Sequence, residues 1–555
     1  MPNYSERAVF APNQMPPPPE YSRYSMASDI IKKNKIKTVL EIGCSNGFGY
    51  NIMKNMYNCD IDYTGIDIHE PSIEEAKKFY PSAKFGAMNI LDFLQKKDHY
   101  DLIICYETLE HLDEGVQIAQ RLKQYCNMLL VSMPYMEITE EEVKDGKPGV
   151  YWGPYHKLHH LNETHLPGFE KLYLANNGNF SNKPEGDWCL IIGKWTRGTN
   201  TVEICTRDRT FTTLPMAVQS VLAQTKLPEK IIIYFDGKPV DITKHPLWVY
   251  ITNHIRHKNV QYVFSQTQSV GQVKNHEAAR ILSTTDLIYR LDDDEIMEPD
   301  VLEKLHKVIM SDEQIGAVGP LVLNPNNPPS RPPSFAKNKI EEINFFCINL
   351  QWFRPVKSDL IDVDHLHSSF LYRVSASSPY CDKLSIKGHM EESMFSYEIK
   401  RNGFKVLVDP KSVVWHYRNP EGGIRSHDAP TPEQDSAMFA SDEMVFREKI
   451  KEWGIKPKEF HLISSMFGIG DSLLLRSLLP EIQKYQNRNL IIVTTHPEIF
   501  DGYEVMDPYS ADIGLKSIGD NLERYNAYNW CSRNNWQGTF KDAIVEMNKP
   551  SKVQK

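Results

Sequence analysis

Short apolar runs recur along the chain, several of them closing on a glycine or an acid, with segments of helical period between them. In the first part they are Val39-Leu-Glu-Ile42, with further runs near Ile61–Ile68, Tyr100–Cys105, Met128–Met133 and Trp188–Trp195. In the second they are Thr201-Val-Glu-Ile-Cys-Thr206, Lys230-Ile-Ile-Ile-Tyr-Phe-Asp236, Asp286-Leu-Ile-Tyr-Arg-Leu291 and Lys405-Val-Leu-Val408. In the third they are His461-Leu-Ile-Ser-Ser465 and Asn489-Leu-Ile-Ile-Val493. Strands alternating with helical segments predict an α/β protein with largely parallel sheets and crossover helices. The breaks in the pattern predict an N-terminal arm over residues 1–25 and three modules over 26–197, 200–455 and 456–555, the first two joined by the linker Arg197–Asn200.

Composition narrows the class without changing that picture. A chain of 555 residues exceeds what one hydrophobic core organises, which agrees with several domains. The net charge of −9 argues against nucleic acid or an anionic membrane as partner. No apolar run approaches the ~18 residues of a membrane span. The N-terminus lacks a basic region followed by an apolar stretch, so no secretory signal is read there, and Pro16–Pro19 predicts a polyproline II arm. Nine scattered cysteines without a CxxC pair indicate neither a disulfide framework nor a zinc cluster, and a reducing cytoplasm fits them.

The densest chemistry lies where Asp286–Leu291 empties into Asp292, Asp293, Asp294 and Glu295. Adjacent carboxylates repel unless a cation sits among them. Residues i and i+2 of an extended segment face the same way, so Asp292 and Asp294 could share one divalent ion. Hard oxygen ligands suit Mg²⁺ or Mn²⁺ bridging to phosphate. The alternative is a solvated acidic turn.

In the first module, Val39-Leu-Glu-Ile-Gly-Cys-Ser-Asn-Gly-Phe-Gly49 is a strand ending in a glycine-punctuated turn, and Asp67 closes the next strand. Together with Asp101-Leu-Ile-Ile-Cys-Tyr-Glu-Thr-Leu-Glu-His-Leu112, this wording resembles class I S-adenosylmethionine-dependent methyltransferases. The resemblance implies a Rossmann-like fold, S-adenosylmethionine as cofactor, and cofactor contacts from Glu41, Gly43, Gly47, Asp67, Asn89 and Glu107. Ser45 stands in place of the family's middle glycine. Trp152-Gly-Pro-Tyr-His-Lys-Leu-His-His160 offers His156, His159 or His160 as a general base, or else as loop and cap histidines. Their spacing brings no carboxylate or Cys partner, which argues against zinc.

In the second module, the order of stations resembles the GT-A nucleotide-sugar-binding fold of family 2 inverting glycosyltransferases. It implies that Thr206, Asp236, Lys274, Asp292 and Asp293 line the donor site. Asp294, with Asp292 and His416, would hold Mn²⁺ or Mg²⁺, while Asp292 serves ribose or metal. Gly388-His-Met-Glu-Glu-Ser393 matches the family's acidic pair before a helix, which makes Glu392 the base and Glu391 its neighbour. Phe235 replaces the first Asp of a common pair, and Lys274-Asn275 replaces Arg-Asn. His365 and His367 read as part of a strand lining the acceptor cleft.

The third module, from Phe467-Gly-Ile-Gly-Asp471 onward, resembles the N-terminal half-domain of heptosyltransferases, with Asp471 as an acceptor contact. Its length cannot supply a second Rossmann domain, so it is expected to be accessory. The combined expectation is a cytoplasmic, bifunctional enzyme of glycan assembly. It would take a nucleotide-diphosphate sugar donor, a glycan or other hydroxyl acceptor, and S-adenosylmethionine. Glycosylation of a modified nucleobase in DNA, and a glycan-binding scaffold with a degenerate methyltransferase module, are the alternatives.

Overall fold

The computed structural model describes residues 14–549 except 97, 187, 326–336, 343–348, 356, 418, 420, 424–430, 459, 466–467, 487, 509–510 and 512–521. The Pro/Asn-rich run Asn324–Pro333 thus lies outside the described residues beyond Pro325, as does Phe467. The chain divides into two units, Met1–Thr201 with Glu277–Ile288 and Arg373–Ser375, and Val202–His276 with Tyr289–Tyr372 and Ala376–Lys555.

The first unit carries strands β1 (Thr38–Ile42), β2 (Asp62–Asp67), β3 (Lys84–Ala87), β4 (Tyr100–Tyr106), β5 (Cys126–Pro134), β6 (Glu170–Ala175), β7 (Phe180–Ser181) and β8 (Cys189–Thr196). They form one sheet in the order β3-β2-β1-β4-β5-β8-β6-β7. The pairs among β1 to β5 are parallel, and β8 joins β5 antiparallel. Along β4, Leu102, Ile104 and Tyr106 enter one core cluster while Ile103 and Cys105 enter another. A strand buried on both faces has no polar alternation, which is why its sequence reads as a continuous apolar run. The chain order reverses between β1 and β4, and ligands of such sheets bind outside the strands' carboxyl ends at that point.

The expected arm stops being an arm at Pro18. Pro17 keeps dihedrals close to polyproline II (φ −53°, ψ 157°), but helix Pro18–Asn34 follows. Proline is tolerated in a first helical turn, where its missing N–H has no partner to lose. Tyr24, Ala27 and Ile31 of this helix are buried in the core cluster that includes Val39 and Leu102. The expected linker is likewise held by hydrogen bonds. Residues 197–199 form a turn between β8 and the next strand, and buried Asp286 accepts hydrogen bonds from Trp195 Nε1 (3.1 Å) and the Gly198 amide (2.9 Å).

The second sheet is built of β9 (Asn200–Thr206), β10 (Lys230–Asp236), β11 (Gln261–Thr267), β12 (Leu287–Asp292), β13 (Glu295–Met297), β14 (Ile315–Leu323), β15 (Ile361–Asp362), β16 (Phe370–Arg373) and β17 (Lys405–His416). Its order is β11-β10-β9-β12-β16-β14-β17-β13, with β15 paired to β17. Both sheets match the α/β class expected from the apolar pattern. The C-terminal segment falls within the second unit but carries its own parallel sheet of β18 (Phe460–Ser465), β19 (Asn489–Thr494) and β20 (Glu504–Met506).

Candidate functional site

In the second sheet, Thr206, Asp236 and Asp292 are each the last residue of their strand. β12 stops at Asp292, and a turn over Asp293–Asp294 leads into β13 at Glu295. The two-residue period that would aim Asp292 and Asp294 alike therefore ends before Asp294, and the acids diverge. Asp293 accepts a hydrogen bond from the Thr206 hydroxyl (2.6 Å) and one from Arg209 Nη1 (2.7 Å). Asp294 lies 3.2 Å from the same guanidinium nitrogen, accepts from the Asn419 amide (2.9 Å) and faces His416 Nε2 at 3.4 Å. The protein's own Arg209 thus supplies much of the cation that this acidic run demands.

What remains is Asp292. It is one-third exposed and its nearest guanidinium, that of Arg290, is 3.9 Å away. One ligand atom each from Asp292, Glu295 and His416 lie within 4.8 Å of one another. Glu295 is buried and accepts hydrogen bonds from the hydroxyls of Ser368 (2.7 Å) and Ser369. Burial, and then the charge of Asp292, push Glu295 up to about 8. Burial works against the charges of Asp294 and His416 too, but their mutual contact wins, holding Asp294 down to about 2 and lifting His416 to about 9. Once an ion displaces the protons of Glu295 and His416, two carboxylates and an imidazole form a donor set that fits Mn²⁺. Glu295 joins that set through tertiary contact, whereas the sequence had offered Asp294.

The adjacent glutamates part company. Glu391, first residue of helix Glu391–Arg401, is fully buried and receives both guanidinium nitrogens of Arg290, at 2.9 and 2.7 Å. Its other neighbour is His276 Nε2 at 3.9 Å, whose Nδ1 faces Glu203 at 3.1 Å. The Glu392 side chain keeps 15% of its exposure and lies 3.3 Å from His367 Nδ1. Burial raises the Glu392 carboxyl, with Arg290 opposing. His365 and His367 do not sit on a strand, because β15 ends at Asp362. His365 is buried, and His367 stacks edge-on against Trp352 with centroids 5.2 Å apart.

Asp236 points to the end of β11 and the loop after it: its carboxylate accepts from the Thr267 hydroxyl (3.0 Å) and from the amides of Val270 and Gly271 (2.9 Å each). Lys274 is exposed near the start of helix Gln272–Leu282. Asp471, on the first turn of helix Ile469–Tyr485, meets Tyr528 at 3.4 Å.

In the first sheet, the turn after β1 is held by Asp67, which accepts from the amides of Ser45 (3.0 Å) and His69 (2.8 Å). Gly43 and Gly47 have φ of +77° and +81°, and a Cβ on Gly43 would overlap the Thr108 hydroxyl. Ser45 adopts φ +48°, a left-handed conformation costing a side-chain-bearing residue about 1–2 kcal/mol. It takes the glycine's conformation without being one. Glu41 is buried beneath the turn, accepts from the hydroxyls of Tyr24 and Tyr63, and is pushed up to about 7 by burial. Asn89 caps the helix Ile90–Phe93 through the Leu91 amide (2.9 Å). Glu107, also left-handed at φ +46°, forms an ion pair with buried Arg23. Arg23 and Tyr24 belong to the helix that the sequence had assigned to an arm, so their part in this site was illegible. The histidines do have carboxylate partners: His156 Nδ1 bonds Glu137 at 2.6 Å, and His160 Nε2 reaches Glu142 at 2.8 Å.

Residues 39–129 match the model of a methyltransferase domain, and residues 201–363 that of glycosyl transferase family 2. Two transferase domains share this chain. Neither matched segment reaches the C-terminal sheet, and the likeness expected there to heptosyltransferases has no counterpart in these matches. No curated protein matches the chain. Among solved structures, it is similar to GalNAc-T7 with UDP, GalNAc and Mn²⁺ (18% identity, 40% of this chain and 44% of that one, TM-score 0.32). It is also similar to the small RNA methyltransferase HEN1 (19%, 35% and 27%, TM-score 0.28). A third is the plantazolicin methyltransferase BpumL with a monoazolic desmethylPZN analog and SAH (18%, 32% and 82%, TM-score 0.25). The chain spans less than half the length of the first two. Among the described residues, no helix is long and apolar enough to cross a membrane.

Proposed function

We propose that the second unit transfers a sugar, with inversion, from a nucleotide-diphosphate donor to a hydroxyl of a glycan or similar acceptor. The observation that carries this reading is the Asp292, Glu295 and His416 group at the end of β12, set apart from acids already neutralised by Arg209. A divalent ion there would neutralise the leaving diphosphate. Glu392 takes the proton of the acceptor hydroxyl as its oxygen attacks the anomeric carbon. Arg290 and Glu391 hold the helix that carries Glu392, and His367 orients its carboxylate. Thr206 and Asp236 act on the donor side by fixing the strand ends and the loop beside them.

The first unit, in the same reading, methylates a hydroxyl with S-adenosylmethionine bound over the turn at Gly43–Gly47. An ionised carboxylate has about four acceptor sites, so Asp67 can hold the turn and still receive ribose hydroxyls. The C-terminal segment is accessory, and the cytoplasm is the compartment that fits the cysteines. Thermal-shift titration against a panel of nucleotide sugars, with and without Mn²⁺, tests the first half. A Mn²⁺-dependent rise in midpoint for one donor is the expected result, and no response from any donor would refute it. Calorimetry with S-adenosylhomocysteine tests the second half, with Asp67→Ala weakening the binding.

A further inference from the structure

The second unit holds a set of sulfur, nitrogen and oxygen atoms that sugar transfer as described does not use. Glu203 and Cys205 are two residues apart on β9, so their side chains leave the same face of the strand. His276, on helix Gln272–Leu282, meets them there. Its Nδ1 lies 3.1 Å from Glu203 Oε1 and 3.6 Å from Cys205 Sγ. One ligand atom from each of the three residues lies within 4.8 Å of the other two.

A thiol, an imidazole and a carboxylic acid can also share protons, so geometry and charge decide. A tetrahedral Zn²⁺ bonds sulfur at about 2.3 Å and imidazole nitrogen at about 2.1 Å, which sets those two atoms about 3.6 Å apart. Cys205 Sγ and His276 Nδ1 stand 3.6 Å apart. Glu203 is 0% exposed, and its Oε2 has no hydrogen-bond partner among the described residues. Burying a carboxylate oxygen in that state is unfavourable unless a cation or a proton compensates. The far side of the His276 ring faces Glu391, whose Oε1 is 3.9 Å from Nε2. A carboxylate there favours the ring proton at Nε2 and leaves the lone pair on Nδ1, toward Cys205 and Glu203. Arg290 does not take the place of an ion, because both of its terminal nitrogens bond Glu391, at 2.9 and 2.7 Å. A Cys205 thiolate and a Glu203 carboxylate then match the two charges of one divalent ion.

We propose that Glu203, Cys205 and His276 bind a Zn²⁺ ion in the second unit, separate from the Asp292, Glu295 and His416 group. Thiolate, imidazole and carboxylate together suit Zn²⁺, and the soft sulfur sets this site apart from one that takes Mn²⁺ or Mg²⁺. The thiol releases its proton to solvent as the sulfur–zinc bond forms. Cys205 is partly exposed, so water can take the fourth coordination position. The ion would tie β9 to the helix that starts at Gln272, one residue before Thr206 ends the strand. The site does not rest on the sugar-transfer reading. The scattered cysteines argued against a zinc cluster because no CxxC pair marks this one, and His276 comes from 71 residues beyond Cys205.

The test is titration of the full chain, stripped of metal under reducing conditions, with Co²⁺ as a spectroscopic stand-in for Zn²⁺. A near-ultraviolet sulfur-to-Co²⁺ charge-transfer band should appear, which the Asp292, Glu295 and His416 group cannot give because it has no sulfur. Cys205→Ser should abolish the band, and Glu203→Gln should weaken Co²⁺ binding by at least about tenfold. Cys381→Ser, at a partly exposed cysteine outside the cluster, should leave the band unchanged. X-ray absorption at the zinc edge of the unsubstituted chain, produced in Zn²⁺-containing medium, needs no variant to fold and should show a sulfur neighbour at about 2.3 Å. Absence of the charge-transfer band, a band that survives Cys205→Ser, or zinc without a sulfur neighbour would each overturn the proposal and leave the three residues sharing protons. Thermal shift with nucleotide sugars and Mn²⁺ is read separately, so failure of the sugar-transfer reading does not alter this result.

Discussion

Arg290 and Glu391 form a two-pronged ion pair in the interior of the second unit, at 2.9 and 2.7 Å, between a strand and a helix 101 residues apart in sequence. The pair commits Glu391 to structure and leaves its neighbour Glu392 as the proposed base. Glu391→Gln leaves a buried guanidinium without its counter-charge and should cost about 3–5 kcal/mol, read as a lower urea midpoint. Glu392→Gln should keep the midpoint and donor affinity while transfer falls by at least about a hundredfold. Equal loss of stability in both variants would contradict this division.

A base must be ionised to act, so transfer should fall as pH drops through the Glu392 pKa. Burial raises that carboxyl above its ordinary 4.5, which places the acid limb of the kcat profile above pH 4.5. Glu392→Asp should retain such a limb at lower kcat, and Glu392→Gln should show none. An identical limb in Glu392→Gln would assign it to another group.

Asp292→Asn removes the one aspartate of the run that no Arg contacts closely among the described residues. Mn²⁺ binding in the second unit should weaken by at least about tenfold, since one of three protein ligands is lost. Asp293→Asn instead uncouples Thr206 and Arg209, and should lower stability with a smaller effect on Mn²⁺ affinity. Calorimetric titration of the two variants side by side decides between these roles.

Ser45 holds a left-handed backbone, and its buried hydroxyl has no hydrogen-bond partner among the described residues. Ser45→Gly should release about 1–2 kcal/mol of strain against about 0.4–1 kcal/mol of added unfolded-chain entropy. The expected result is a small rise in melting temperature with S-adenosylhomocysteine binding retained. A fall in melting temperature would mean that the serine side chain makes a stabilising contact.

Lys123 is buried in the first unit, 3.2 Å from the Pro167 carbonyl and over the Phe169 ring at 4.3 Å. Burial lowers it from 10.5 to about 7. Between those two values the unfolded chain binds the extra proton, so stability rises with pH from about 7 to 10.5. Lys123→Met should stabilise the protein most at pH 7, with the advantage shrinking toward pH 10.5. Urea midpoints across that range measure it.

The strands, the glycine turn and the acid-terminated ends are legible in the chain alone, because these depend on local periodicity and on residues a few positions apart. Val39–Ile42 with Gly43, and Leu287–Leu291 with Asp292, are legible because an apolar run buried on both faces and a turn needing positive φ leave direct marks in composition. The tertiary structure decided which acids are answered by which cations. Arg209 reaches Asp293 across 84 residues, Arg290 reaches Glu391 across 101, and Glu137 stands behind His156 only once the sheet has formed. No local pattern encodes those pairings, since they follow from strand order. That order sorts four like charges into one neutralised by Arg209 and Thr206, one clamped to Arg209 and His416, and two that stand with His416 at the candidate ion site.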